Sequence, residues 1–291
     1  MPVPEPGREG TGRPAVDVLI PTYRRPAALA VTLAGLVSQT TPPARVVVSD
    51  QGEPPSSVDG AEARAVARAL AMRGVAVEMV RHPRRGLAEH RQSLLDRATA
   101  PYVLFLDDDV LLLPDALEVL VDAIGRARCG FVGYGLIGAS HLADERPHQQ
   151  ALEVWNGPVV PELMTPSSPA WERHHLHSAA NVVHAARRMH LGPEDAVLYR
   201  VAWIGGCVLY DAAALREAGG FGFWADLPEL HAGEDVLAQW RVMARAGGAG
   251  VLPSRAHHLQ LETTVPDRPV DAPLALGVFD GTAPLLPEAT P

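Results

Sequence analysis

Val103-Leu104-Phe105-Leu106, then Asp107-Asp108-Asp109, then Val110-Leu111-Leu112-Leu113-Pro114 is the stretch on which the reading of this chain turns. A short apolar run delivers three consecutive carboxylates, and a second apolar run leads away to a proline. Ionised carboxylates are costly to bury unpaired, so three at the exit of a buried strand need a counter-charge. A divalent cation supplies one, and the oxygens of a diphosphate can fill the rest of its shell. In an extended backbone residues two apart share a face, which puts Asp107 and Asp109 on one side and Asp108 on the other. The plain alternative is an acidic turn or helix cap, and Asp115 after Pro114 suits that too.

Working outward, the same strand-then-polar-exit pattern recurs. Residues 16–20 form an apolar run closed by Pro21, and Pro26 opens a helical pattern carried by Leu29, Leu33, Leu36 and Val37. Residues 45–49 predict a second strand ending at Asp50, residues 61–72 an Ala-rich helix, residues 75–80 a third strand, and residues 86–98 another helix. Strands of about five residues alternating with helices predict an α/β fold with a central, mostly parallel sheet flanked by helices. In such sheets ligands bind beyond the carboxyl ends of the strands, which here carry residues 21–24, 50–52, 82–86 and 107–109. No Gly-x-Gly-x-x-Gly follows the first strand and no Gly-Lys-Ser/Thr loop occurs, so dinucleotide folds and P-loop NTPases are poorly supported.

Downstream of the triplet, Leu117, Leu120, Val121 and Ile124 predict an amphipathic helix, and residues 131–137 a strand. Residues 139–198 are irregular and rich in Pro and His, which suits a flexible lid or an acceptor-binding insertion. Order returns at residues 202–210, and a helix following Gly233-Glu234-Asp235 precedes a short strand and His257-His258.

The composition is that of a globular chain, 47% hydrophobic and 20% charged. A net charge of -9 argues against binding nucleic acid or an anionic membrane through bulk charge. Cys129 and Cys207 stand alone, which suits buried thiols in a reducing cytoplasm rather than a zinc or disulfide framework. No apolar run reaches the length of a transmembrane segment, and residues 1–14 read as a disordered leader. A cytoplasmic protein is expected; a homo-oligomer is compatible with the sequence.

In series, these motifs resemble the family 2 inverting glycosyltransferases, which have the GT-A fold. The residues that carry the resemblance are Ile20-Pro21-Thr22-Tyr23-Arg24-Arg25, Val48-Ser49-Asp50-Gln51-Gly52, Gly86-Leu87-Ala88-Glu89-His90-Arg91, Leu106-Asp107-Asp108-Asp109, Gly219-Gly220-Phe221, Gly233-Glu234-Asp235 and His257-His258. The resemblance spans residues 17–268. It implies a nucleotide-sugar-binding half at 15–138, an acceptor-binding and catalytic half of the same domain at 139–270, and a C-terminal tail at 271–291.

It also implies roles. Pro21, Thr22, Tyr23, Arg24 and Asp50 would hold the nucleoside, with Asp50 able to accept from a uracil N3–H and Tyr23 able to stack on the base. Arg91 would pair with phosphate or with a carboxylate of the site. Asp107 would contact the ribose, Asp109 would coordinate Mn²⁺ or Mg²⁺, and Asp108 could join through water. His258, favoured over His257, would complete the metal shell. Asp235 would be the base that deprotonates the acceptor, with Glu234 as runner-up or acceptor contact. Trp203, Gly205, Gly206 and Trp224 would line the acceptor side. The implied reaction is metal-dependent, inverting transfer of a sugar from a nucleotide sugar, a UDP-sugar foremost, to a hydroxyl or amine of a small-molecule, glycan or lipid-linked acceptor. Two alternatives stand beside it: a nucleotidyltransferase, and a catalytically inactive nucleotide-sugar-binding module.

Overall fold

The computed structural model describes residues 14–286, so most of the leader expected at 1–14 lies outside the described residues. The first part alternates strictly: β1 (Val16–Thr22), α1 (Pro26–Val37), β2 (Arg45–Asp50), α2 (Ala61–Met72), β3 (Ala76–Arg81), α3 (Leu87–Arg97) and β4 (Tyr102–Leu106). Then come β5 (Val110–Leu112), α4 (Ala116–Ala127), β6 (Phe131–Gly133) and β7 (Ile137–Gly138). After an irregular stretch with 3₁₀ turns follow α5 (Asn181–Arg188), β8 (Val197–Tyr199), β9 (Cys207–Asp211), α6 (Ala212–Glu217), β10 (His231–Ala232), α7 (Glu234–Ala246), β11 (Gly248–Leu252), β12 (Ala256–His258), β13 (Val270–Asp271) and α8 (Ala272–Ala275).

Eight strands make one sheet in the order β3-β2-β1-β4-β9-β6-β11-β8. β3, β2, β1 and β4 run parallel, as do β6 and β11, while β9 and β8 run against their neighbours. The period-2 alternation of the strands divides the core. Val18, Ile20, Val46, Val48, Leu104 and Leu106 pack with α1, α2 and α4 on one face. Leu19, Val47, Val103 and Phe105 pack with α3, α5, α6 and α7 on the other. Burial on both faces explains why these strands read as continuous apolar runs.

Three expectations need correction. β1 continues through Pro21 to Thr22, because pairing with β4 stops at Leu19 and only β2 has to tolerate a residue without an N–H. The single strand expected at 131–137 is two strands in different sheets, with Tyr134 between them turned into the core and its hydroxyl donating to the Ala116 carbonyl at 3.2 Å. The stretch at 139–198 is no free lid: Met164, Leu176, Val182 and Ala185 are buried in the core. Within the tail expected at 271–291, Asp271 pairs with Ala232, and Leu276, Val278 and Leu285 pack on the core. Among the described residues no helix is long and apolar enough to cross a membrane.

β11 shows how tightly the second half is packed. A Cβ at Gly250 would lie 2.1 Å from the Tyr199 ring, and one at Gly248 would lie 2.2 Å from the Phe131 ring. Both rings are fully buried and have no room to retreat. Gly250→Val is therefore expected to lower the free energy of unfolding by about 3 kcal/mol, the upper part of the range for overpacking. Gly125 in α4 has nothing within 4 Å of its ideal Cβ, so Gly125→Ala serves as a control. It should be neutral or stabilise by up to about 1 kcal/mol. Equal urea midpoints for Gly250→Val and the parent would refute the packing argument.

Candidate active site

The carboxyl ends of β1, β2, β3 and β4 meet at one edge of the sheet. A small second sheet, ordered β5-β12-β7, covers that edge and sets His258 opposite Val110, next to the acidic triplet. Pro21, Thr22, Tyr23, Asp107, Asp108, Asp109 and His258 line a cleft of about 370 Å³.

The three aspartates have three environments. Asp107 Oδ1 accepts from Arg91 Nη2 at 3.1 Å, and its backbone N–H donates to the Gly206 carbonyl at 2.9 Å. Gly206 has φ +74°, and a Cβ there would come within 2.7 Å of Leu136 Cδ1 and 3.1 Å of Asp107 Oδ2, so a glycine is what lets this chain pass. Asp108 is buried yet still on the cleft wall: its Oδ2 accepts from the Thr22 hydroxyl at 2.6 Å. Burial, with the charges of Asp109 and Asp107, pushes its carboxyl up to about 7 against the pull of Thr22 and Arg25. Asp109 presents one oxygen, Oδ2, to both the Arg25 guanidinium and His258 Nε2, the latter at 3.4 Å. Burial disfavours its ionisation, but the His258 hydrogen bond and the Arg25 charge prevail and hold the carboxyl below its usual range. His258 is raised in turn, chiefly by its hydrogen bond to Asp109.

At the far end of the cleft the Tyr23 ring has the guanidinium carbons of Arg24 and Arg84 each 4.9 Å from its centroid. Arg84 also donates to the Tyr23 hydroxyl at 3.2 Å and pairs with Glu229 at 2.9 Å. Arg24 itself does not line the cleft; its backbone is left-handed at φ +57°, and the next residue, Arg25, faces the aspartates.

Asp50 sits at the end of β2. It is fully buried, with Oδ1 accepting from Gly52 N at 2.7 Å and Oδ2 from Val58 N at 3.1 Å. Each oxygen accepts one backbone N–H of its own loop, and Gln51, the next residue, lines the cleft while Asp50 does not. Arg91, 5% exposed, is likewise no free phosphate ligand. It is held between two carboxylates, Asp107 and, through Nε at 3.1 Å, Glu234.

That guanidinium links the triplet to the start of α7. Glu234 is 2% exposed, while Asp235 is half-buried and accepts from Val236 N at 2.9 Å. Burial and the neighbouring charges of Glu234 and Asp107 push the Asp235 carboxyl well above the ordinary carboxylate range, against the pull of Arg91. Neither residue lines the cleft of the triplet. Trp203 is half-buried, with its ring 5.0 Å from Trp171 and stacked on His174 at 5.3 Å, so it is occupied by protein partners. Trp224 packs against the core, and Gly205 has open space where a side chain would stand.

Residues that sequence reasoning passed over include Arg25, His90, His231 and the 261–265 stretch, all on the cleft. Arg25 was visible in the Arg-Arg pair, but nothing in the pattern chose between the two. His231 signals its role only in three dimensions: its Nε2 accepts from Ala88 N at 3.0 Å, closing the start of α3. Among the described residues no group of three or more His, Cys, Asp or Glu is placed to hold a metal ion alone. The pair Asp109 and His258, flanked by Asp107 and Asp108, suits a cation that completes its shell with diphosphate oxygens.

A model of "Glycosyl transferase family 2" matches residues 17–191. The chain belongs to glycosyl transferase family 2. The matched stretch runs from β1 through α5 and includes the acidic triplet, whereas Trp203, Glu234, Asp235 and His258 lie beyond it. No curated protein matches significantly.

Among solved structures, similarity extends to the mannosyltransferase PcManGT from Pyrobaculum calidifontis in complex with GDP-Man and Mn²⁺, at a TM-score of 0.51 and 17% identity, covering 88% of this chain and 59% of that one. It also extends to S. aureus TarS 1–349 in complex with UDP-GlcNAc, at a TM-score of 0.50 and 17% identity, covering 86% of this chain and 60% of that one. This family 2 chain therefore has the GT-A fold and spans about three fifths of the length of those two chains.

Proposed function

We propose that this family 2 chain is a metal-dependent glycosyltransferase that moves a sugar from a nucleotide sugar to an acceptor hydroxyl or amine, with inversion. The observation that supports it most is the pair of polar links that meet at the triplet: His258 to Asp109, and Asp107 through Arg91 to Glu234 beside Asp235. On this reading Arg91 couples the donor-side carboxylate Asp107 to the acidic pair that would accept the proton.

Asp109 and His258 would hold a divalent cation, which when bound offsets the charge that develops on the leaving diphosphate. Asp107 would orient the ribose, with its carboxylate fixed by Arg91. Asp235 would take the proton from the acceptor as that atom attacks. A carboxyl whose pKa is raised is a stronger base once ionised, which suits the role near neutral pH. Glu234, anchored by Arg91, would position the pair. The mannosyltransferase neighbour holds GDP-Man and the TarS neighbour UDP-GlcNAc; a UDP-sugar is the first donor to test here.

The test is a panel of nucleotide sugars with and without Mn²⁺ or Mg²⁺, followed by thermal shift and by release of nucleoside diphosphate. One donor class should raise the melting temperature only when metal is present, and should be consumed. A donor that is bound but never consumed, with any acceptor class, would instead describe a binding module. If no nucleotide sugar has a metal-dependent effect, the proposal fails.

A further inference from the structure

The acidic triplet already has a positive charge of its own. The Arg25 side chain is 15% exposed and lines the cleft. Its Nη1 is hydrogen-bonded to Asp109 Oδ2 and lies 3.4 Å from Asp108 Oδ1, while Nη2 donates to the Glu262 carbonyl at 2.5 Å. Its Nε is buried with no partner among the described residues. A purely structural arginine in this fold looks different. Arg255, 4% exposed, engages all three nitrogens, with Asp115 and with the carbonyls of Pro253, Pro193 and Asp195. Arg25 is anchored at the acidic end and incompletely satisfied at the other.

The contested atom is Asp109 Oδ2. It accepts from Arg25 and faces His258 Nε2 at 3.4 Å. The Asp109 oxygen that faces His258 is the one Arg25 holds, so a divalent cation seated between Asp109 and His258 would compete with Arg25 for it, and two cations a few ångströms apart in a partly buried site repel strongly. We propose that Arg25 is a resident counter-ion which a divalent cation must displace from Asp109, so that metal binds weakly alone and strongly only with a nucleoside diphosphate, whose phosphates receive the displaced guanidinium. A guanidinium suits that second partner, because its fork of donors matches phosphate oxygens as well as carboxylate oxygens. Displacement also releases the Glu262 carbonyl, freeing the 261–265 stretch from the triplet. The inference rests on the donor-site reading above and adds an order to it: metal and diphosphate enter together.

The test titrates the full chain with MnCl₂, followed by calorimetry or by the Mn²⁺ spin-resonance signal, with and without UDP or GDP. For the wild type, nucleoside diphosphate should tighten Mn²⁺ binding by about tenfold or more, and Arg25→Gln should tighten binding of Mn²⁺ alone by about the same factor. Arg25→Lys, which keeps the charge, should stay near the wild type. The gain in Arg25→Gln should vanish when Asp109→Asn is added. A wild type that binds Mn²⁺ equally well with and without nucleoside diphosphate overturns the proposal, and needs no variant to do so. So does an Arg25→Gln protein no tighter than wild type, or a gain that survives Asp109→Asn. Absence of nucleotide-sugar turnover, with the Arg25→Gln gain and the diphosphate effect intact, would count against the transferase reading alone and leave the counter-ion in place.

Discussion

Asp235→Asn is expected to lower kcat by about 10²–10⁴-fold, the usual contribution of a positioned general base, while the metal-dependent affinity for the donor stays near that of the wild type. The substitution is nearly isosteric, and an amide oxygen can still accept from Val236 N as the carboxylate does at 2.9 Å. What disappears is the ability to take a proton. The wild type carries its own check in the pH profile. Because burial and the charges of Glu234 and Asp107 raise the Asp235 carboxyl, kcat should fall as pH drops through that raised value, at a higher pH than an ordinary aspartate would give. The Asn variant should have lost this acid limb. Steady-state rates with a competent acceptor, together with donor titrations, decide the matter. Near-normal turnover would remove Asp235 as the base, and Glu234, already held by Arg91 at 3.1 Å, would be the residue to examine next.

Arg91→Met should have the largest combined effect, on stability and on rate. The guanidinium is buried, with a carboxylate 3.1 Å away on each side and the Phe105 ring 5.6 Å from its Cζ. Burial alone would weaken its charge, but Asp107 and Glu234 more than compensate, and its pKa rises. Removing one partner of a buried pair leaves the other uncompensated, at a cost of about 3–5 kcal/mol. The lower end, about 3 kcal/mol, is expected, since the Asp107 side chain is 36% exposed and water can take over part of its pairing. Turnover should fall as well, because the carboxylates on both sides lose their common anchor. Urea unfolding and kcat measured on the same samples provide the comparison. A variant as stable and as active as wild type would mean that Asp107 and Glu234 do not depend on Arg91.

The first half of the fold was legible because each strand from β1 to β4 is an apolar run bounded by Pro, Gly or a polar exit, and each exit falls on the same edge. Within the triplet the three carboxylates all line the cleft but take different partners, Asp108 accepting from Thr22 and Asp109 standing beside His258. What the pattern could not supply was the fate of individual hydrogen bonds. Asp50 followed by Gln51-Gly52 carries the composition of an Asx-type turn, in which a carboxylate caps its own loop. In that local chemistry each oxygen accepts one backbone N–H, from Gly52 and from Val58. The choice between Arg24 and Arg25 depended on a single left-handed residue, which side-chain alternation does not foresee. Residues 131–137 looked like one strand because composition does not record the change of sheet at Tyr134. The 139–198 stretch hid its buried contacts because 3₁₀ turns leave no simple hydrophobic period.

The register that sets His258 opposite Val110 has a consequence for how the protein is made. Asp109 is synthesised well before its imidazole partner, which lies in β12. A nascent chain can complete the β1–β4 layer and expose its carboxylates long before β12 docks beside them. Until that strand arrives, Arg25 is the cation within reach, and the unfinished protein carries its own neutralising charge instead of recruiting one from the surroundings.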